Sequence, residues 1–175
     1  MTAAVHSISG GCQCGAVRFA CEGLGRASVC HCRMCQKAFG GFFAPLVTTI
    51  GLAWTRGALS HFRSSNRVRR GFCAQCGTPL TFEVDGAENI DVAIGAFDQP
   101  ADIVPVVRMG LEAKVPYVDA LGELPEIADA EKATFAAYYA SIVSNQHPDH
   151  ERSIAQAVEK KTDLALGCHP GEIER

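Results

Sequence analysis

From Gly15 to about Val107 apolar and polar residues alternate with a period of two, the spacing of half-buried strands. Val17, Phe19 and Cys21 share one face, Leu80, Phe82 and Val84 a second, and Ile90, Val92 and Ile94 a third. Asp85-Gly86 and Glu88-Asn89 supply turn chemistry between the last two runs. Further strands are predicted over 42–48, 59–63, 67–72 and 103–108. The last holds Pro105, which cannot donate a ladder hydrogen bond, and is therefore expected at an edge. The pattern predicts a mainly β domain of two or three small antiparallel sheets.

After Pro125 the period changes. Phe135, Tyr138, Tyr139 and Ile142 recur at helical spacing, and Ile154, Ala157, Val158, Lys161, Leu164 and Ala165 form a second amphipathic run between Pro148 and Gly167. Two C-terminal helices are predicted, with their apolar stripes in a core or an interface. The organisation expected is a β domain over residues 1–125 and a helical extension over 126–175, packed on or beside it.

Composition narrows the function classes. With 175 residues, 47% of them hydrophobic and 20% charged, the chain is long enough to bury a core. Its 16 basic and 19 acidic residues give a formal charge of −3 with no long run of either sign, so no nucleic-acid footprint is expected. No stretch approaches the roughly 20 apolar residues that span a bilayer, and no membrane partner is expected. The N-terminal residues lack the basic and apolar regions of an export signal. A cytoplasmic location follows as the expectation.

The cysteines carry the candidate chemistry. Nine is an odd number, and seven fall into Cys12-x-Cys14, Cys30-x-Cys32-x-x-Cys35 and Cys73-x-x-Cys76. Such clusters favour metal ligation in a reducing compartment over a disulfide framework. Cys73-Ala-Gln-Cys76-Gly77 has the form of a tight metal-binding turn, and Cys12-Gln-Cys14-Gly15 is a second pair with the same trailing glycine. Two pairs make the closed set of four sulfurs that a structural zinc requires. Cys30, Cys32 and Cys35 then remain as three, the stoichiometry of an ion able to take a substrate atom. Other partitions are open: the triad could recruit Cys21, Cys168, His31 or His169 and close as a second structural site. Both ions could be structural, and iron on four thiolates is chemically possible.

The order of these motifs resembles a known family. Gly10-Gly11-Cys12-Gln13-Cys14-Gly15-Ala16-Val17-Arg18-Phe19 is followed by Cys30-His31-Cys32-Arg33-Met34-Cys35-Gln36-Lys37 with Gly40-Gly41-Phe42, and then by Arg70-Gly71-Phe72-Cys73-Ala74-Gln75-Cys76-Gly77-Thr78-Pro79-Leu80. Together with Gly95-Ala96-Phe97-Asp98-Gln99-Pro100, Val115-Pro116-Tyr117 and Leu124-Pro125, these resemble the glutathione-dependent formaldehyde-activating enzymes over about residues 10–125. The resemblance implies a β-tent-like fold with two zinc ions. By motif position Cys12, Cys14, Cys73 and Cys76 would hold a structural zinc, and Cys30, Cys32 and Cys35 a catalytic one with an open position. It also implies a carbon–sulfur lyase that joins glutathione and formaldehyde to S-(hydroxymethyl)glutathione. The chain departs from the family at Arg33, where a small serine is common.

Glutathione is anionic, so cations are expected at the mouth of its site. Lys37 aligns with a lysine of the family motif, Arg33 is its neighbour, and Arg67-Val-Arg69-Arg70 leads into Cys73 with Arg70 on the opposite face from Arg67 and Arg69. Lys37, Arg33 and Arg70 are the substrate-binding candidates.

Overall fold

The computed structural model describes residues 8–149. Ten strands form two sheets. A small antiparallel sheet has the order β1 (Ile8–Gly11), β2 (Arg18–Cys21), β5 (Ala53–Arg56). The seven-stranded sheet runs β10 (Val107–Met109), β3 (Gly23–Cys30), β4 (Ala44–Ile50), β9 (Ile90–Ala93), β8 (Pro79–Val84), β7 (Val68–Phe72), β6 (Ser60–Arg63). Every pairing is antiparallel except β10 with β3. The chain is mainly β, with small sheets and clustered cysteines that could hold zinc.

The core lies between the sheets. Val17, Phe19 and Cys21 are all buried, as their shared face predicts, and Phe19 meets Trp54 and Phe97 edge-on with centroids 5.9 and 5.0 Å apart. Val92 and Leu80 complete the contact from the larger sheet. Burying each such side chain contributes on the order of 1.5–3 kcal/mol. The strand containing Leu80 behaves differently from its apolar pattern: Val84 is exposed, while Thr81 and Glu83 on the alternate face are buried. Glu83 accepts hydrogen bonds from Thr81 and Arg69, both at 2.6 Å, and lies 3.1 Å from His61 Nε2, so this face is closed by a polar cluster.

A short helix, α1 (Arg33–Phe39), interrupts the strands after β3 and ends at Gly40, whose φ of 62° is the left-handed conformation of a helix C-cap. The predicted helix after Pro125 is α2 (Asp129–Ala140), with Asp129 and Glu131 in its first turn facing the positive end of the helix dipole. Its Phe135, Tyr138 and Tyr139 are exposed rather than in a core. The segment beyond it returns to the β domain, where the His147 N–H donates to the Gln13 carbonyl at 2.7 Å. The predicted helix over 154–165, and Cys168 and His169, lie outside the described residues. No described helix is long and apolar enough to cross a membrane.

Candidate metal centres

The fold gathers Cys12 and Cys14, from the turn between β1 and β2, with Cys73 and Cys76, from the turn between β7 and β8; the four sulfurs all lie within 4.8 Å of one another. Sulfurs about 2.3 Å from a tetrahedral zinc would sit about 3.8 Å apart. The Cys12–Cys14 and Cys14–Cys73 separations are 3.5 and 3.8 Å, so the donor set fits that ion. Main-chain and side-chain donors reach these sulfurs: the Val17 N–H donates to Cys12 Sγ at 3.2 Å, and Thr78 Oγ1 lies 3.1 Å from Cys76 Sγ. Desolvation pushes the Cys14 thiol up to about 12. Cys76 is also desolvated, yet the Thr78 hydroxyl and nearby N–H groups bring it down to about 6.

The second group is Cys30, Cys32 and Cys35, again within 4.8 Å of one another. Cys30 ends β3 and is held between Ala44 of β4 and Met109 of β10. Cys32 is the N-cap of α1 and Cys35 lies in its first turn, so strand end and helix start turn three sulfurs towards one point. Desolvation works to raise the Cys32 thiol, but the N–H groups of Cys35 and Met34 and the neighbouring sulfurs hold it below its ordinary value. Cys35 is almost fully buried, and burial pushes its thiol up to about 12 against the opposing pull of Arg70. His31 points elsewhere: its ring packs edge-on to Phe43 at 5.5 Å and is not among the grouped donors. Cys21 is a core residue, which leaves the triad with three sulfurs among the described residues.

Two features hold this site that the motif spacing does not reveal. Gln36 is buried in α1 and donates to the His31 carbonyl at 2.6 Å and the Ala113 carbonyl at 2.8 Å, clamping the 3₁₀ turn Leu111–Ala113 over the triad. Gly110, just before that turn, has φ of 65°, and a Cβ placed on it would meet the Cys32 nitrogen at 2.6 Å. Only glycine allows this approach.

The candidate cations separate. Arg70 is buried on β7 and donates from Nη2 to Cys35 Sγ at 3.3 Å. The register of the sheet explains its setting: Phe62 of β6 and Phe82 of β8 are its cross-strand partners, and its guanidinium lies 5.0 Å from the Phe82 centroid. Lys37 and Arg70 line one cavity of about 330 Å³ together with Met34, Ala38, Phe62 and Ser64. Arg33 is not in that lining; its Nη1 donates to Gln36 Oε1 at 2.5 Å. Arg69 pairs with Glu83 on the opposite face of β7.

Residues 7–112 match the family described as glutathione-dependent formaldehyde-activating enzyme. The chain belongs to this family. The match covers both cysteine groups and ends before the segments Val115-Pro116-Tyr117 and Leu124-Pro125. A crystal structure of a Rhodobacter sphaeroides protein is similar at 25% identity, covering 58% of this chain and 100% of that one, with a TM-score of 0.48. A comparison with curated proteins yields no match. Both cysteine groups therefore sit within the part of the chain that is of the glutathione-dependent formaldehyde-activating type, and both fit a metal ion such as zinc.

Proposed function

We propose that this chain is a carbon–sulfur lyase that adds a thiol such as glutathione to formaldehyde or a related small aldehyde, with zinc at both cysteine groups. In this reading Cys12, Cys14, Cys73 and Cys76 hold a structural ion, and Cys30, Cys32 and Cys35 hold the catalytic one. Residues 1–125 form the working domain, 126–175 an extension, and the cytoplasm is the compartment that keeps such thiols reduced. The observation that carries the reading is the convergence of three sulfurs, all from residues 30–35, one of which accepts a hydrogen bond from Arg70, a residue that lines a cavity together with Lys37.

Cys30, Cys32 and Cys35 would hold the zinc, which would supply a Lewis-acidic position that favours the thiolate form of a bound thiol. The chain's own residues do the rest. Lys37 carries an exposed ammonium at the cavity and attracts the carboxylates of an acidic thiol, while Arg33 extends the positive rim from the same helix. Gln36 and the 3₁₀ turn keep the triad's loops in place, which fixes the approach of the two reactants. The reaction is an addition without redox change: the sulfur–carbon bond forms, the carbonyl π bond breaks, and the thiol proton ends on the new hydroxyl oxygen.

The test is exchange spectroscopy with ¹³C-formaldehyde and glutathione. Wild-type protein should speed formation of the hydroxymethyl thioether, and Lys37→Ala should weaken glutathione without loss of zinc. Exchange no faster than in buffer overturns the lyase reading. The alternative is a non-catalytic zinc-stabilised binding module, for which the exposed aromatic side chains of α2 would be the contact surface.

A further inference from the structure

Arg70 is a buried cation without a carboxylate. It retains 7% of its surface, and among the described residues no Asp or Glu pairs with it. Its Nε donates to Ser64 Oγ at 3.2 Å, a neutral partner, and its Nη1 is buried with no hydrogen bond at all. Its guanidinium also lies over the Phe82 ring, which is uncharged, and its remaining hydrogen bond runs from Nη2 to Cys35 Sγ. Buried guanidinium groups are normally paired with an anion, because their desolvation is otherwise uncompensated. Here the anion available is the sulfur cluster itself.

The two cysteine groups differ in this respect. Among the described residues, the Val17 N–H and the Thr78 hydroxyl, both neutral, are hydrogen-bond partners that reach the four-cysteine sulfurs from outside the set. Four thiolates around a divalent ion carry a net charge of −2 and have no further ligand to attract. Three thiolates around the same ion carry −1, and an anionic fourth ligand would raise this to −2 in a partly buried setting. Arg70 adds +1 against the most buried of the three sulfurs and so returns the group to neutrality before that ligand arrives.

We infer that Arg70 is a positioning residue whose buried charge makes the Cys30–Cys32–Cys35 centre select an anionic sulfur ligand over a neutral one. It acts through Cys35 and the field at the ion rather than by gripping the far end of the substrate. The inference rests on the reading that this triad holds a metal ion, and it deepens that reading by assigning the charge of the ligand.

The experiment uses the full chain loaded with cobalt(II), whose sulfur charge-transfer and d–d bands report the ligands at each site. Wild type, Arg70→Gln and Arg70→Lys are titrated with 2-mercaptoethanol, which binds as a thiolate and carries no carboxylate, and with neutral imidazole. Arg70→Gln should weaken the thiol by about tenfold or more while changing imidazole less than about threefold, and Arg70→Lys should recover most of the thiol affinity. Equal weakening of both ligands, or no weakening of either, overturns the inference and leaves Arg70 a packing residue. Should Arg70→Gln not retain cobalt at the triad, Arg70→Lys decides: a kept preference for thiol over imidazole supports the charge role, and a lost preference overturns it. Neither ligand needs an aldehyde, so failure of the lyase reaction is separable from failure of this assignment.

Discussion

Arg18 and Asp98 form a two-pronged ion pair sealed from solvent, with Nη1 to Oδ1 at 2.8 Å and Nη2 to Oδ2 at 2.6 Å. Ser9 donates to the same carboxylate at 2.6 Å, and the Asp98 N–H donates to the Ser9 carbonyl at 2.9 Å. Three points of the chain meet here: both strands of the β1–β2 hairpin and the segment after β9. Asp98, in this chain's Gly95-Ala96-Phe97-Asp98-Gln99-Pro100 stretch, thus has a structural role.

Asp98→Asn should cost about 3–5 kcal/mol at neutral pH, the usual penalty for breaking a buried pair by neutralising one partner. Burial works to raise the Asp98 carboxyl, but Arg18 and Ser9 overcome it and hold the carboxyl below its ordinary value. A depressed folded-state pKa means the contribution is fully present above about pH 4, the unfolded value, and is lost as pH falls towards the folded one. Urea denaturation of both proteins at pH 7 and pH 3 checks this. The gap between them should narrow in acid, and a constant gap would count against the ion pair as its source.

Gly110→Ala tests the clamp over the triad. The new methyl meets the Cys32 backbone, and the left-handed φ adds roughly 1–2 kcal/mol of strain for any residue with a Cβ. Zinc content per chain, measured by mass spectrometry of the metal, should fall towards the share held by Cys12, Cys14, Cys73 and Cys76. Full retention would mean that the 3₁₀ turn shifts freely and does not hold the triad.

Substitution of one sulfur in each group separates their roles. Cys73 is a buried member of the four-sulfur set that joins the two sheets, so Cys73→Ser should remove much of a binding energy on the order of 10 kcal/mol and leave the chain unfolded or strongly destabilised. Cys32→Ser should lose turnover with thiol and aldehyde while its melting temperature changes little, because Gln36 still ties α1 to the His31 and Ala113 carbonyls. Thermal melting by circular dichroism decides. A large drop for Cys32→Ser would favour the binding-module reading over the lyase.

Much of this site is legible in the sequence because metal chemistry constrains residue type and spacing tightly. Counting sulfurs separates four from three, and the structure draws the same residues together. The strands expected at 42–48, 59–63 and 67–72 are found at 44–50, 60–63 and 68–72. The alternating runs at 17–21, 80–84 and 90–94 fall on strands at 18–21, 79–84 and 90–93, whereas the strand expected at 103–108 shrinks to 107–109. β3 does not follow from alternation, since Gly23, Gly25 and Arg26 break its pattern, and it is held by neighbours on both sides. The shortness of α1 hides it as well, although Gly40 after Ala38-Phe39 is a helix-end signal that points to it. Arg70 shows the limit most clearly. Pleat parity places it opposite Arg69, but only the register with Phe62 and Phe82 and the packing of α1 bring it to Cys35 rather than to the solvent-facing rim.

That same parity yields a control. Glu83 lies across from Arg69 on the opposite face of β7 and β8 from Arg70, buried and bonded to Thr81, Arg69 and His61. Desolvation opposes its ionisation, yet those three partners keep its carboxyl below the ordinary value, so it is charged at neutral pH and its contribution fades only in acid. Glu83→Gln weakens three bonds to a charged acceptor and should lower stability by about 1.5–3 kcal/mol in urea at pH 7. Because the pleat turns Glu83 away from the triad, the thiol-dependent cobalt spectrum of this variant should match wild type. An altered spectrum would mean that the polar cluster and the triad are coupled through β7, and that a weaker thiol response in an Arg70 variant reports strain in the strand as well as charge.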